Sequence, residues 1–109
     1  MESAPRFPSR VDGGGDPGAM DDCGRVAELL KLLGQETRLR LLERLQGGEQ
    51  CVCDLCPQVG EQSNVSRHLA AMTKGGLLAH RVEGTRHYYR VTRPEVFEVL
   101  AVARGVAKV

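Results

Sequence analysis

The chain has 109 residues, enough for one domain and little more. Its 41 % hydrophobic and 27 % charged composition suits a soluble globular protein, and no run approaches the roughly 18 apolar residues of a membrane span. The net charge of +1 points to no partner by itself, and with two Tyr, two Phe and no Trp the core must be built from Leu, Val and Ala. So small a core profits from oligomerisation.

Residues 1–20 are rich in Pro, Gly and Ser and read as a disordered tail, with no apolar stretch of the kind an export signal carries. The expected location is therefore cytoplasmic, with no membrane partner. Met1 and Met20 are both candidate translation starts, and the folded domain is expected over residues 21–109. From about Asp22 to Leu33, Val26, Leu29, Leu30 and Leu33 form an apolar stripe at helical spacing, and Gly34 ends it. A second helix is predicted from about Glu36 to Gln46, carrying Leu39, Leu41, Leu42 and Leu45 and stopped by Gly47–Gly48. A short third helix, about Cys53 to Val59, precedes Gly60. A fourth, about Gln62 to Lys74, carries Val65, Leu69 and Met72 and ends at Gly75–Gly76.

The period then changes from 3.6 to 2. Leu77–Val82 and His87–Val91 read as strands, joined through Glu83-Gly84-Thr85-Arg86, where Gly84 supplies the positive φ of a tight turn. A last helix is predicted from about Pro94 to Ala107. The fold class is mainly α with a β-hairpin, in the order α-α-α-α-β-β-α.

A short helix, a tight turn, a second helix and then a hairpin describe a winged helix-turn-helix, in which the second helix enters the major groove and the hairpin reaches the neighbouring backbone. Charge supports that reading. Residues 62–93 hold six Lys or Arg against the single acid Glu83, a net +5 hidden inside a near-neutral chain. Gln62, Ser63, Asn64, Ser66, Arg67 and His68 at the start of the fourth helix, with Arg81, Gly84, Thr85 and Arg86 in the hairpin, are the candidate DNA-contacting residues. Taken singly, polar residues at a helix start are as often plain capping. An enzyme is not expected: the three histidines have no nucleophile at a catalytic turn beside them, and no phosphate-binding glycine loop is present.

The stretches Glu36–Leu42, Cys51–Cys56, Gln62–Leu69, Gly75–Leu78 and Glu83–Tyr89 resemble the ArsR/SmtB family of metal-sensing transcriptional repressors over about residues 22–108. The C-x-C-x₂-C element is similar to that of the arsenite- and antimonite-responsive branch. The resemblance implies a homodimer, joined through its first and last helices, that binds double-stranded operator DNA and leaves it when As(III) or Sb(III) binds Cys51, Cys53 and Cys56.

Three soft thiolates suit such a centre. At about 100° per residue, Cys53 and Cys56 share a helix face while Cys51 and Cys53 lie nearly opposite. The expectation is therefore Cys53 near the N-cap, Cys56 near N3 and Cys51 in the preceding loop, with Pro57 weakening the first turn. Two alternatives stay open. Cys23 is a further candidate ligand, which would suit Cd(II), Pb(II) or Zn(II). Cys53-x-x-Cys56 also has the spacing of a redox dithiol, which would make the protein a thiol redox-sensing regulator. Gln50 departs from the apolar residue common before this element. No His or Asp lies in residues 94–109 to build the last-helix site of zinc-responsive members.

Overall fold

The computed structural model describes residues 17–108. The tail expected at residues 1–20 lies outside the described residues as far as residue 16. Residues 17–20 instead open the first helix, α1 (Pro17–Leu33). Pro17 suits that position, because its φ is preset for a helix and its missing N–H would have had no partner there. The remaining elements are α2 (Glu36–Leu45), β1 (Gln50–Cys51), α3 (Val52–Val59), α4 (Gln62–Lys74), β2 (Leu78–Glu83), β3 (Arg86–Val91) and α5 (Val96–Ala107).

The chain divides into two compact units, Met1–Lys31 and Leu32–Val109. In the first, Val26 and Leu30 are half exposed, Cys23 is exposed, and Lys31 meets Glu28 one turn back at 3.9 Å. The second holds the core. Leu41, Leu42 and Leu45 of α2, Leu55 of α3, and Val65, Leu69 and Met72 of α4 are fully enclosed. Each such side chain contributes about 1.5–3 kcal/mol by leaving water.

One strand escapes the sequence order. β1 pairs antiparallel with β3, Gln50 opposite Tyr89 and Cys51 opposite Tyr88, so the expected hairpin is a three-stranded sheet of order β1-β3-β2. β2 satisfies only one edge of β3. The two residues of β1 satisfy part of the other, and a two-residue strand has no period to read. The Gln50 side chain also donates to the Arg44 carbonyl, closing the C-terminal end of α2. Two boundaries move as well. α3 starts at Val52 rather than Cys53. α5 starts at Val96, because Pro94 and Glu95 form a turn in which the Val96 and Phe97 N–H groups bond Arg93 and Pro94 carbonyls at 3.0 Å.

α3 packs against α2, α4 and β3, and the two-residue link Gly60–Glu61 leads directly into α4. Both ends of the hairpin are tied to the end of α4. Leu77 N–H donates to the Met72 carbonyl (3.0 Å), Thr92 N–H to the Leu77 carbonyl (2.9 Å) and the Thr92 hydroxyl to the Gly76 carbonyl (2.7 Å). The direction of the hairpin is thereby set relative to α4. At its tip Gly84 sits at φ +64°, as the two-residue turn between the paired Glu83 and Arg86 requires.

Candidate nucleic-acid interface and thiol cleft

The start of α4 presents Gln62, Ser63 and Arg67 exposed and Asn64 and Ser66 partly so. Asn64 Oδ1 accepts from Arg67 Nη2, which steers the guanidinium along the helix face. The opposite face, Val65, Leu69 and Met72, is buried, so the amphipathic split is the expected one. Gly84, Thr85 and Arg86 lie exposed at the hairpin tip.

One of the expected contact residues, His68, faces inward, and another, Arg81, is engaged in ion pairs. His68 is only 4 % exposed, and its Nδ1 accepts a hydrogen bond from Arg38 Nε at 3.0 Å. It belongs to the inner face because it lies three residues after Val65 and four before Met72, in the same stripe. Burial, then the charges of Arg38 and Arg67, lowers its pKa, so the ring is held neutral. The same Arg38 donates from Nη1 to the Leu32 carbonyl at 3.0 Å. No local spacing marks Arg38, because its partner is 30 positions away.

Arg81 is exposed, but its charge is spoken for. It donates to both Glu49 carboxylate oxygens at 2.8 and 2.9 Å and to Glu83 at 2.8 Å, and it lies 4.5 Å from the centre of the Tyr88 ring. These carboxylates raise its pKa, and Arg81 in turn lowers that of Glu49. Arg81 thus braces the hairpin against the α2–β1 link, while Arg86 at the tip has its pKa raised by a hydrogen bond to Tyr88 and by the neighbouring thiols of Cys53 and Cys51.

The three clustered cysteines occupy three different environments. Cys51 closes β1 and is the N-cap of α3, 2 % exposed, with its Sγ accepting the Cys53 N–H at 3.3 Å. The N-cap is therefore Cys51 rather than Cys53, because pairing with Tyr88 holds the Cys51 backbone extended at φ −80°, ψ 145°. Cys53 is exposed and Cys56 half-buried, both inside the helix. A hydrogen bond from the Cys53 thiol lowers the pKa of Cys51 and raises that of Cys53 itself. Burial, then the charge of Cys51, raises that of Cys56. Pro57 lies inside α3 and has no N–H to offer the Cys53 carbonyl, which weakens the turn that carries the thiols.

All three cysteines line one open cleft of about 870 Å³, walled also by Gln62 and Ser66 of α4 and by Thr85 and Arg86 of the hairpin. Among the described residues no three His, Cys, Asp or Glu side chains already stand together as a metal site. Cys23 lies on α1, in the other unit.

On the apolar side, Val99, Val102 and Val106 leave a stripe of α5 uncovered, Val102 and Val106 each 69 % exposed, while Val96 and Leu100 are buried. No helix among the described residues is long and apolar enough to cross a membrane.

Comparison with known proteins agrees with this architecture. Residues 35–79 match the model of the family described as bacterial regulatory protein, arsR family. A candidate arsenical resistance operon repressor of Halobacterium salinarum, ArsR2, is 39 % identical over 89 residues, covering 77 % of this chain and 73 % of its own. The crystal structure of the AntR antimony-specific transcriptional repressor superposes with a TM-score of 0.77 at 29 % identity, covering 97 % of this chain and 96 % of that one. The homodimeric winged helix-turn-helix DNA-binding domain of a Mycobacterium bovis regulator superposes with a TM-score of 0.72 at 31 % identity, over 89 % and 91 % of the two chains. These are DNA-binding regulators, not enzymes.

Proposed function

The chain belongs to the ArsR family of transcriptional repressors, and from that premise we propose that it grips operator DNA as a homodimer and releases it when As(III) or Sb(III) is captured by Cys51, Cys53 and Cys56. The observation that carries this reading is that all three thiols line one open cleft beside α4. The likeness to an antimony-specific repressor over nearly the whole chain supports the class of inducer.

On DNA, Gln62, Ser63, Asn64, Ser66 and Arg67 of α4 read the major groove, and Gly84, Thr85 and Arg86 reach the adjacent backbone. His68 and Arg81 are left out of this set. They position α4 and the hairpin instead. The uncovered valines of α5, with Val26 and Leu30 of α1, supply the apolar faces of the dimer.

The donor set fits the inducer. A trivalent arsenic or antimony centre takes three thiolates and gains little from harder ligands. Arsenous acid and three thiols give the tris-thiolate and three waters, with no redox change. The chain must move to deliver its sulfurs, because Cys51 is anchored to β3 while Cys53 and Cys56 ride on α3. Gathering them loosens the first turn of α3, where Pro57 already removes a bond. α3 braces α4, so the loosening shifts α4 relative to the groove. A coupling of about 1–3 kcal/mol between inducer and DNA, typical of allostery, is enough to empty an operator held near its Kd.

The test is a gel shift or anisotropy titration with duplex from the promoter of the protein's own gene. Cys51→Ser, Cys53→Ser and Cys56→Ser are expected to bind DNA as the native chain does and to remain bound as arsenite or antimonite is added. Release of a variant at native inducer concentrations would overturn the assignment of that thiol.

A further inference from the structure

The walls of the thiol cleft raise a question of access. Two of them are built from surfaces assigned above to DNA: Gln62 and Ser66 from the first turns of α4, and Thr85 and Arg86 from the hairpin tip. The cysteines lie between those walls. Cys53 is the exposed thiol, so a ligand reaches Cys51, which is buried, by way of Cys53 and the open side of the cleft. In a winged helix-turn-helix complex the space between the recognition helix and the hairpin is where a DNA backbone runs. Arg86, exposed at the hairpin tip and part of the cleft wall, draws a phosphate to that same rim.

We propose that the thiol cleft opens onto the DNA-reading surface, so that bound operator roofs it and the inducer captures the protein only while it is off DNA. This rests on the operator-binding, metalloid-responsive reading above and sharpens it. Induction then proceeds by trapping the free dimer, rather than by attack on the repressor–operator complex. The two routes share one equilibrium linkage and differ only in kinetics. The bond chemistry is unchanged: thiols exchange with the hydroxyls of arsenous acid and release water. Only the species able to undergo that exchange is restricted.

Two measurements on the intact native chain test it, using duplex from the protein's own promoter. In the first, iodoacetamide alkylation of Cys53 and Cys56 is followed by mass spectrometry with and without saturating duplex. The expected result is that their rate falls in proportion to the fraction of protein left free. An unchanged rate in the complex overturns the proposal. In the second, dissociation of labelled duplex is started either by excess unlabelled duplex or by arsenite. Equal rate constants, with no further increase as arsenite is raised to saturation, are expected. Arsenite-driven dissociation faster than the chase overturns it. If duplex does not bind, or arsenite never releases it, the underlying function fails, and the access proposal with it. That result is distinct from the two above.

Discussion

Arg38 and His68 form a polar contact that reaches from α2 to the buried face of α4, and removing one partner has a calculable cost. In Arg38→Leu the His68 Nδ1 lone pair loses its 3.0 Å donor while staying enclosed. An orphaned buried acceptor costs about 1–3 kcal/mol. The Leu32 carbonyl also loses its guanidinium partner. For a domain of this size, roughly 4–8 °C of Tm accompany each kcal/mol. His68→Leu alone orphans the arginine, but that side chain is only partly buried and can turn to water. Removing both partners leaves no unpaired group, so the double variant is expected to be more stable than the sum of the single losses predicts, with a coupling of about 0.5–3 kcal/mol.

Urea or thermal unfolding at one fixed protomer concentration measures this, because association makes the midpoint concentration-dependent. The pH dependence gives an independent reading. The folded-state pKa of His68 is lowered, so the folded chain binds fewer protons than the unfolded one. The stabilisation is fully present above the unfolded imidazole pKa of about 6.5 and is lost as pH falls through that value toward the lower folded one. The native chain should therefore weaken as pH falls from neutral through about 6.5, and His68→Leu should lose that component of the slope. Strict additivity of the two substitutions, together with an unchanged pH slope in His68→Leu, would refute the assignment.

Other outcomes follow from the same geometry. Arg86→Gln should lower operator affinity and reduce the slope of log affinity against log salt by about one phosphate contact. Arg81→Gln should leave that slope nearly unchanged, since Glu49 and Glu83 already neutralise Arg81; equal slopes for the two variants count against the distinction. Gly84→Val puts a branched side chain at φ +64°, costing at least about 1–2 kcal/mol and misdirecting the hairpin. Its stability and DNA affinity should both fall, and wild-type values for both would be the adverse result. Val102→Glu places a charge in the uncovered stripe of α5 and should move the chain from dimer to monomer in sedimentation, with operator affinity falling in step; an unshifted dimer would remove α5 from the interface. Cys23→Ser should leave arsenite release at native inducer concentrations, and a large loss would bring α1 into the site.

Why some of this was legible and some was not follows from the range of the interactions. Helix stripes such as Val65, Leu69 and Met72, the glycine stops and the Gly84 turn act within a few residues, so they stand in the sequence directly. The burial of His68 was also locally encoded, at three residues from Val65 and four from Met72. Its polar identity drew it instead into the surface set. β1 could not be read, because two residues become a strand only when the open edge of β3 is brought beside them. The same pairing moved the N-cap from Cys53 to Cys51, and the Glu49–Arg81 bridge joins residues 32 positions apart, beyond the reach of any local pattern.

The four cysteines, the order of helices and hairpin and the basic block between residues 62 and 93 are properties of the chain alone. They point to a thiol-bearing DNA-binding module before any coordinate is known, since residue type and local spacing fix donor chemistry and amphipathic faces. Only the tertiary structure brings the three thiols, the start of α4 and the hairpin tip onto the walls of one cleft. That juxtaposition depends on backbone pairing and packing between segments tens of residues apart, which no local spacing encodes.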